Sequence, residues 1–413
     1  MITSKQPNEI KYMNTHTKKT DCICCGSDSL KELLNLNDQP LANSYHNNST
    51  ELKKFPLKLN LCTNCYHLQL SHIVNPDIMF KDYLYVSGTT KTLRDYFDWF
   101  AEYVSKQSEI GNVLDIACND GSQLDSFKKL GWDTTGVDPA ENLFELSSKN
   151  HKVICDYFKG KSQFNNKFDV ITAQNVFAHN ENALKFLNDC SDILDDDGRV
   201  YIQTSQSELV VSNQFDTVYH EHISFFNINS MNELAKRSNL KLVDVFKTPI
   251  HGISYIFVFK KKINDFEQQW VDNLIGIEKE RGLYKIQTYE HYKNNVENII
   301  RDYGKIINNY SKLGYEIIGY GAAAKGMTFL NYANVYPDVI IDDNPLKQGL
   351  YTPGGNTPIK SIEYIKDLSE NKKVLFVPLA WNFYKEIRNR IKSVRNNKND
   401  KFLIYFPNVR IED

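Results

Sequence analysis

The sequence lacks any long apolar segment. No run of eighteen apolar residues occurs in the 413-residue chain, although about that many are needed for a helix to cross a membrane. The first twenty residues are polar and contain no apolar core of the kind that a secretory signal needs. We therefore expect a loose tail over residues 1–20, no membrane partner and a cytoplasmic location.

A surplus of charge of either sign is also missing. Lys and Arg number 49 and Asp and Glu number 51, the net charge is −2, and the two signs are interspersed. Nucleic acids attract proteins that concentrate positive charge, so we expect no nucleic-acid partner. A chain of 413 residues is expected to form two or three domains of about 100–200 residues. These features are compatible with a monomer but do not fix the oligomeric state.

Cysteine is present but unevenly distributed. Five of the eight cysteines lie within the first 65 residues, and without an export signal we expect reduced thiols rather than disulfides. Cys22, Cys25, Cys62 and Cys65 form two C-x2-C pairs separated by 36 residues. Two such turns can present four thiolates to one tetrahedral zinc ion. The spacing therefore predicts a zinc site.

The ligand set and the role of this ion need separate arguments. Cys24, His67 and His72 are close enough in sequence to compete as ligands, and burial of unliganded cysteines is the alternative to a metal. We assign residues 21–75 to one module, with a linker around Asp38-Gln39-Pro40 between the two cysteine pairs. This module is too small to fold on its hydrophobic core alone. This favours a structural ion that supplies folding free energy, and not a catalytic one.

Strands and helices alternate from Gly111 to Lys262. This pattern predicts a doubly wound parallel sheet, and we assign residues 76–262 to this domain. Helices are expected to begin near Ser122 and Asn142. The predicted strands are 113–117, 133–137, 168–173, 199–203, 241–245 and 254–259. The last two are close enough in sequence to give the sheet an antiparallel finish.

The first strand of this domain ends in a turn that suits a particular ligand. Carboxyl ends of strands are where open α/β sheets bind ligands. The turn lacks the G-x-G-x-x-G pattern of dinucleotide-binding proteins, and Asp115 and Asp120 would repel a pyrophosphate. Carboxylates suit a sulfonium cation with an amino group much better. The turn therefore favours S-adenosylmethionine over NAD.

Two neighbouring strand ends extend this predicted site. Asp138 closes the second strand, and its carboxylate can accept hydrogen bonds from both ribose hydroxyls of an adenosine; Asn175 follows the fourth strand. A doubly wound domain that binds another adenosine ligand is the alternative. The predicted cofactor-binding residues are Asp115, Ala117, Asn119, Asp120, Gly121, Asp138, Pro139 and Asn175.

The segment Tyr219-His220-Glu221-His222 follows the fifth strand and a polar loop. Four consecutive side chains that can bond protons are hard to accommodate in a core, which favours catalysis over a structural role. In an extended segment Tyr219 and Glu221 would point one way and the two histidines the other. A turn could bring three of the four together.

Beyond this domain the chain becomes helical. Apolar and aromatic residues recur at spacings of three and four from Tyr289 to Leu313, which predicts one packing face on a helix. We assign residues 263–313 to a helical connector and residues 314–413 to a C-terminal α/β domain.

The C-terminal domain begins with a Gly/Ala-rich turn, Gly319–Gly326. Its pattern is one residue off the dinucleotide spacing, and Asp342 closes the next strand. We interpret it as a degenerate nucleotide-binding turn in which Gly321 and Lys325 contact the diphosphate of the acceptor. A tight strand-to-helix turn that needs glycine for packing is the alternative.

These segments together resemble the sugar C-methyltransferases of deoxysugar biosynthesis, which methylate a nucleotide-linked 4-ketohexose at the adjacent carbon. The resemblance covers almost the whole chain. It rests on the four cysteines, Tyr83-Leu84-Tyr85-Val86-Ser87-Gly88, Asn119-Asp120-Gly121, Asn175 to His179, Tyr219 to His222 and Gly319 to Gly326. The first turn departs from the family in having Ala117-Cys118 where Gly-Ser is usual.

The resemblance implies an α/β architecture with three parts. A class I (Rossmann-like) S-adenosylmethionine methyltransferase domain would be flanked by the small four-cysteine zinc module and by a C-terminal Rossmann-like α/β domain. The acceptor would be a nucleotide-linked sugar. The active site would be lined by His222, Tyr219, Glu221, His179 and a tyrosine of the pair Tyr83 and Tyr85.

The residue types also fit the chemistry by themselves. A carbon–carbon bond to a methyl group requires a carbanion, and a proton next to a ketone is acidic enough only if a base removes it while a donor stabilises the enolate oxygen. We assign His222 as the base, Tyr219 and His179 as enolate-stabilising donors, Glu221 as the group that orients an imidazole, and His220 as a substrate contact.

Two alternative functions stay open on the sequence. The first is methylation of an oxygen or nitrogen of a nucleotide sugar or small metabolite, which needs no enolate. The second is a non-catalytic adaptor that keeps the fold. The set of Asp115, Asp138 and Tyr219 to His222 argues against the adaptor.

Overall fold

The structure is a computed structural model that describes residues 15–47, 52–80, 87–89, 91–248 and 254–413. These residues form four β-sheets: a small N-terminal β-module precedes a central α/β domain, two long helices and a second α/β domain. Among the described helices, none combines the length and the apolar composition that crossing a membrane requires.

The N-terminal module is built from antiparallel strands around the cysteine pairs. Phe55, Leu57, Leu59 and Leu61 are buried while the residues between them are more exposed, the period of two expected when one face of a strand packs on a core. The strands are β1 (His16–Lys18), β2 (Leu30–Pro40), β3 (Lys54–Cys62), β4 (Leu68–Leu70) and β5 (His72–Val74). Because β1 pairs with β5, the expected loose tail does not extend over residues 16–18.

β2 takes the place of the linker that we predicted around Asp38-Gln39-Pro40. Leu34 and Leu36 on this strand are buried, and β2 pairs with β3 over its length. The register shifts between Asn35 and Asp38, where Asn37 adopts a φ of 64°. The linker prediction was therefore wrong, because turn-forming residues here mark an irregularity within a strand.

The central domain is a seven-stranded mixed sheet with helices on both sides. Its elements are α1 (Pro76–Phe80), α2 (Lys91–Ser105), β6 (Asn112–Ile116), α3 (Ser122–Lys129), β7 (Asp133–Val137), α4 (Glu141–Ser147), β8 (Lys152–Ile154), β9 (Phe168–Gln174), α5 (Ala183–Ile193), β10 (Leu194–Thr204), β11 (Ser224–Phe225), α6 (Ile228–Arg237), β12 (Lys241–Thr248) and β13 (Ser254–Lys260). β11 belongs to another sheet.

The strand order of this sheet is β12-β13-β10-β9-β6-β7-β8. Numbered from β6 without β11 and read from the β8 edge, the order is 3-2-1-4-5-7-6. β6 to β10 run parallel, and β13 is antiparallel to both of its neighbours. The predicted parallel sheet with an antiparallel finish is confirmed. The order reverses between β6 and β9, which opens a crevice at their carboxyl ends.

The connector consists of α7 (Asp265–Glu280) and α8 (Ile286–Lys312). Tyr289, Tyr292 and Tyr303 are among the buried residues of α8, which confirms the predicted packing face. Leu313 lies beyond the helix and is 58% exposed. The prediction was wrong for this residue, because the helix ends before it could continue the stripe.

The C-terminal domain is a second α/β unit. Its elements are β14 (Glu316–Tyr320), α9 (Ala324–Ala333), β15 (Val339–Ile341), β16 (Ile359–Lys360), α10 (Glu363–Lys366), β17 (Val374–Pro378), α11 (Tyr384–Val394), β18 (Lys401–Ile404) and β19 (Arg410–Glu412). The strand order is β16-β15-β14-β17-β18-β19, with only β19 antiparallel among these six.

The domains interlock. β11 of the central domain is an edge strand of the N-terminal sheet, where Ser224 pairs with Gln69 on β4. One hydrophobic cluster joins leucines of β2 to β4 with Phe215, tyrosines of α8 and strands of the C-terminal domain. The domain boundaries at residues 76, 263 and 314 stay predictions, since packing crosses all of them.

Candidate active site and zinc centre

Four cysteine sulfurs form a compact cluster in the N-terminal module. The Sγ atoms of Cys22, Cys25, Cys62 and Cys65 all lie within 4.8 Å of one another. Cys22 is 3.6 Å from Cys65, and Cys25 is 3.6 Å from Cys62. Four ligands at about 2.3 Å from a central zinc would be about 3.8 Å apart. The predicted donor set fits tetrahedral zinc with no open position for a substrate.

The two cysteine pairs are held in similar turns. The amide of Gly26 donates to the carbonyl oxygen of Cys22, and the amide of Tyr66 donates to that of Cys62, each at 2.9 Å. The residue after the second cysteine of each pair has a positive φ, 74° at Gly26 and 60° at Tyr66. This left-handed residue turns the chain back so that both thiolates of a pair face one point.

The competing ligands have other partners. His67 Nε2 lies 3.3 Å from Ser224 Oγ, and His72 Nδ1 lies 2.8 Å from Ser71 Oγ. Cys24 is fully buried and stands outside the four-sulfur cluster. The zinc centre therefore consists of the two C-x2-C pairs.

A cavity of about 400 Å³ opens at the carboxyl ends of β6, β7 and β9. Seven of the eight predicted cofactor-binding residues line it, namely Asp115, Ala117, Asn119, Asp120, Asp138, Pro139 and Asn175. Gly121 is not among the lining residues. Its φ is 82°, and a Cβ there would lie 3.2 Å from His151 and 3.3 Å from the Ser147 backbone, so this glycine shapes the turn behind the cavity.

Asp115 lies at the floor of the cavity in a hydrogen-bond network. Its Oδ1 accepts from Gln123 Nε2 at 2.9 Å and from Thr172 Oγ1 at 2.7 Å. Burial raises the pKa of Asp115 to about 7. Gln174 also lines the cavity, and its buried Oε1 has no hydrogen-bond partner among the described residues. An amino group bound here would supply a donor to both side chains.

Asp138 stands where an adenosine ribose is expected. Its Oδ2 accepts from the amide of Asn119 at 2.9 Å and its Oδ1 from the amide of Ala140 at 2.8 Å. Each carboxylate oxygen has a second lone pair, which leaves both able to accept from a ribose hydroxyl. Burial raises the pKa of Asp138, and the two amides lower it.

Asn119 and Asp120 hold a neighbouring segment as well as lining the cavity. The side chain of Asn119 accepts from the amide of Ser87 at 2.9 Å, and that of Asp120 accepts from the amide of Gly88 at 2.8 Å. A Cβ at Gly88 would lie 2.1 Å from the Ser122 hydroxyl and 2.6 Å from the Asp120 carboxylate, so a larger residue there would have to displace both side chains. Tyr83 and Tyr85 precede this segment and lie outside the described residues.

The predicted catalytic segment forms a turn that unites two of its four residues. Tyr219 Oη lies 2.9 Å from His222 Nε2, and His222 Nδ1 lies 3.0 Å from the carbonyl oxygen of Thr217. The His179 ring stacks on His222 with centroids 5.4 Å apart, and His179 lines the cavity. Because a carbonyl oxygen only accepts, Nδ1 carries the proton and the Nε2 lone pair faces the tyrosine hydroxyl.

The other two residues of the segment face the N-terminal module. His220 is buried against Phe55, and its Nε2 lies 3.2 Å from the carbonyl oxygen of Phe55; burial lowers the pKa of His220 to about 4. Glu221 accepts a hydrogen bond from Asn43 Nδ2 at 2.6 Å, and burial raises its pKa to about 7. These contacts suit a structural role for His220 and give Glu221 an amide partner.

The Gly319–Gly326 turn of the C-terminal domain is tightly packed. Gly321 has a φ of 90°, and a Cβ there would lie 3.0 Å from Ala380; a Cβ at Gly326 would lie 2.8 Å from Leu379. Asp342 accepts from the amide of Ala322 at 2.6 Å. These contacts favour the packing interpretation of the glycines.

Side chains from two domains cover this turn. Tyr45 Oη and Lys347 Nζ each donate to the Ala322 carbonyl oxygen at 2.6 Å, and the ammonium lies 5.0 Å from the centre of the Tyr45 ring. A dinucleotide would have to displace both side chains. Lys325 lies close enough to the buried Asp216 to lower its pKa.

Sequence reasoning missed several residues at the site. Thr217 and Asp216 precede the catalytic segment and could have been found from that position, but neither belongs to a motif. Asn43 and Trp381 are 178 and 165 residues from the partners that they bond, Glu221 and Asp216. No local pattern indicates such contacts.

The strand order and the acid-lined cavity define a class I S-adenosylmethionine-dependent methyltransferase. Models of known protein families match all three parts of the chain. A zinc binding domain model matches residues 22–80, a methyltransferase domain model matches residues 89–245, and a C-methyltransferase C-terminal domain model matches residues 249–407. The chain thus combines parts that match a zinc binding domain, a methyltransferase domain and a C-methyltransferase C-terminal domain, and its cofactors are S-adenosylmethionine and structural zinc.

Three similar proteins match this chain to different extents. C-methyltransferase NovU of Streptomyces niveus is 26% identical over 408 residues, which cover 95% of this chain and 96% of that protein. A ubiquinone biosynthesis O-methyltransferase of Coxiella burnetii is 20% identical over 184 residues, 40% of this chain and 78% of the relative. A solved structure of the plantazolicin methyltransferase BpumL with S-adenosylhomocysteine is 18% identical with a TM-score of 0.33, and the match covers 41% of this chain and 83% of that one.

Proposed function

We propose that the protein transfers a methyl group from S-adenosylmethionine to a carbon next to the ketone of a nucleotide-linked 4-keto (deoxy)sugar, through an enolate formed by His222. The observation that carries this proposal is the Thr217–His222–Tyr219 arrangement beside the donor cavity. It combines a base with a defined tautomer and a hydroxyl donor within 2.9 Å of that base.

His222 is the base in this scheme. Its Nδ1–H is held by the Thr217 carbonyl oxygen at 3.0 Å, so Nε2 takes the proton from the carbon next to the ketone. The imidazolium that results keeps the same hydrogen bond. That contact orients the ring before reaction and stabilises the charge formed on it.

Tyr219 and His179 are the groups that stabilise the enolate oxygen. The Tyr219 hydroxyl donates to His222 Nε2 at rest. When it turns to donate to the ketone oxygen, it releases the Nε2 lone pair, which then takes the proton from carbon. Burial lowers the pKa of His179 to about 4, so its ring stays neutral at pH 7 and can donate without carrying charge. The bound donor supplies an electrophilic methyl group.

The acceptor class is proposed from the resemblance to sugar C-methyltransferases. Polar side chains that can meet hydroxyl and phosphate groups lie between the N-terminal module and the C-terminal domain, including Asn43, Tyr45 and Lys347. Both a methyl donor of this kind and nucleotide-linked sugars are cytoplasmic metabolites, and we propose that location for the protein.

A labelled-donor assay tests this function. The protein is incubated with S-[methyl-¹³C]adenosylmethionine and a panel of nucleotide-linked 4-keto and 4-hydroxy sugars, and the products are analysed by mass spectrometry and NMR. We expect a new C–CH₃ resonance with 4-keto sugars alone. Formation of a methyl ether or a methylamine would show that the protein methylates oxygen or nitrogen and not carbon. Donor binding without any transfer across the panel would favour the adaptor.

A further inference from the structure

A buried carboxylate lies three residues before Tyr219. Asp216 is completely buried, and its Oδ2 accepts a hydrogen bond from Trp381 Nε1 of the C-terminal domain at 2.7 Å. Its Oδ1 has no hydrogen-bond partner among the described residues. Burial raises the pKa of Asp216, and the nearby Lys325 lowers it. A buried carboxylate charge is costly unless a nearby cation or hydrogen-bond donor stabilises it.

The chain on either side of Asp216 is clamped by the connector and the C-terminal domain. Tyr292 Oη of α8 donates to the carbonyl oxygen of Gln214 at 3.0 Å. The Phe215 ring packs with centroid distances of 5.6 Å against three aromatic rings, those of Phe329, Tyr332 and Phe406. The position of residues 214–216 is therefore set from outside the central domain.

This clamp is one residue away from the group that holds the catalytic imidazole. Thr217 follows Asp216, and its carbonyl oxygen accepts from His222 Nδ1 at 3.0 Å. Trp381 follows β17, at the carboxyl end of the C-terminal sheet. A chain of direct contacts thus runs from Trp381 through Asp216 and Thr217 to His222.

We propose that Asp216 is a positioning residue through which Trp381 and Lys325 of the C-terminal domain fix the Thr217 carbonyl and so orient and charge-stabilise His222. This inference rests on the proposed role of His222 as base. It gives the C-terminal domain a function in the chemistry besides contact with the acceptor. When Asp216 is ionised, its negative charge would favour the imidazolium that forms as His222 takes a proton.

We call the contact chain Trp381–Asp216–Thr217–His222 the relay. The groups that face its two ends can be identified. Asp216 is faced by Lys325 of α9, Trp381, Tyr292 of α8 and Tyr405 of the C-terminal domain; burial and then the charge of Asp216 raise the pKa of both tyrosines. His222 is faced by Tyr219, His179 and Phe225. Lys325 is the cation within this set.

Trp381→Phe tests the relay with a matched control. The variant keeps a smaller aromatic ring against Phe406, whose centroid is 5.4 Å from that of Trp381, and removes the indole N–H. Trp270→Phe removes an indole N–H that bonds Asp244 at the same 2.7 Å on α7, outside the relay. We expect Trp381→Phe to lower kcat about 10–100-fold and to leave the affinity for S-adenosylhomocysteine unchanged. Trp270→Phe should change neither kcat nor this affinity.

Asp216→Asn adds a readout that needs no acceptor. The titration of the His222 imidazole is followed by NMR on histidine-labelled protein, with His222→Gln used to assign the signal. Loss of the negative charge should move the titration midpoint of His222 to lower pH by about half a pH unit or more, and the acid limb of kcat/KM should move with it. If Asp216→Asn does not fold, the same titration in Trp381→Phe carries the test, with a smaller shift in the same direction.

The outcomes separate the two proposals. An unchanged His222 titration in both variants, with unchanged kcat on any confirmed acceptor, would overturn the relay. If wild-type protein methylates no keto sugar but the titration still moves, the relay stands and the proposed reaction fails. A purely structural role of Asp216 would lower the yield of folded protein without moving the midpoint.

Discussion

The donor cavity and the catalytic turn are built in different ways. The cavity is lined by residues 76–186 of the central domain and is shaped by short local turns. The turn at residues 215–223 is contacted from three sides: Phe55 of the N-terminal module and Trp381 of the C-terminal domain form hydrogen bonds with it, and His179 of the central domain stacks on it. Donor binding should therefore withstand damage to the flanking domains, whereas methyl transfer should not.

The largest expected effect comes from the zinc centre. Cys62→Ser removes one thiolate and should cost about 3 kcal/mol or more of stability, part of the about 10–16 kcal/mol that zinc supplies to small zinc-finger peptides. Because the amide of Leu70 bonds the carbonyl oxygen of Ile223 beside His222, methyl transfer should fall more than donor affinity does. Thermal unfolding, zinc content and calorimetry check this.

The exposed Cys155 is the control for this experiment. Cys155→Ser should retain one zinc per chain and the wild-type unfolding temperature. Full zinc content in Cys62→Ser would remove Cys62 from the ligand set.

Asp138→Ala tests the donor cavity, the other region in this comparison. It should weaken binding of S-adenosylhomocysteine by about 1.5–3 kcal/mol, the value of hydrogen bonds to a charged acceptor, while donor-independent proton exchange on the acceptor stays near normal. Asp133 lies at the other end of β7 in an exposed ion pair with Lys152, so Asp133→Ala should bind as wild type. Equal affinity of wild type and Asp138→Ala by calorimetry would exclude Asp138 from the site.

Glu221 gives the catalytic turn a pH dependence. Since burial raises its pKa to about 7, the folded protein keeps a proton that the unfolded chain loses above about pH 4.5. The contribution of Glu221 to the free energy of unfolding is fully present below pH 4.5. This contribution, about 1–3 kcal/mol, is lost as the pH rises through about 7. Glu221→Gln mimics the protonated form and should be more stable than wild type at pH 8 and equal to it at pH 4.5.

Denaturant titrations at the two pH values measure this difference. Glu233→Gln removes a partly exposed carboxylate that pairs with Lys236 and should show no such pH-dependent gain. A Glu221→Gln protein that is no more stable than wild type at pH 8 would show that Glu221 is ionised in the fold at little cost.

The smallest expected effect lies in the donor turn. Ala117 has a φ of 62°, a left-handed conformation that costs a residue with a Cβ about 1–2 kcal/mol, whereas glycine loses about 0.5–1 kcal/mol more chain entropy on folding. Ala117→Gly should therefore stabilise the protein by about 0.5 kcal/mol, seen as a small rise in Tm. Ala173→Gly, within β9, should lower it; a destabilised Ala117→Gly would contradict this account of the turn.

The sequence predicts the donor side of the molecule well because its signals are local. β6 and β9 are largely apolar, acidic or amide residues lie at or just beyond the ends of β6, β7 and β9, and helices follow these strands. The two C-x2-C pairs predict the metal site by a pattern that is also local in sequence. Asp115 and Asp138 were predicted in the cavity because the carboxyl ends of parallel strands meet at one edge.

The catalytic turn could be predicted only in part. The proton-bonding residues of Tyr219 to His222 are visible, but the direction of each side chain depends on neighbours that are distant in sequence. His220 faces Phe55 and Glu221 faces Asn43, and both partners belong to the N-terminal module. β2 was missed for a similar reason, since its pairing with β3 overrides turn-forming residues.

Proton exchange on a nucleotide-linked 4-keto sugar in deuterated water, without methyl donor, tests the central claim most directly. Wild-type protein should exchange the proton next to the ketone, and His222→Ala should slow this exchange and methyl transfer by about 10²–10⁴-fold while S-adenosylhomocysteine binds as before. Exchange and turnover in His222→Ala at the wild-type rate would contradict the assignment of His222 as the base that forms the enolate.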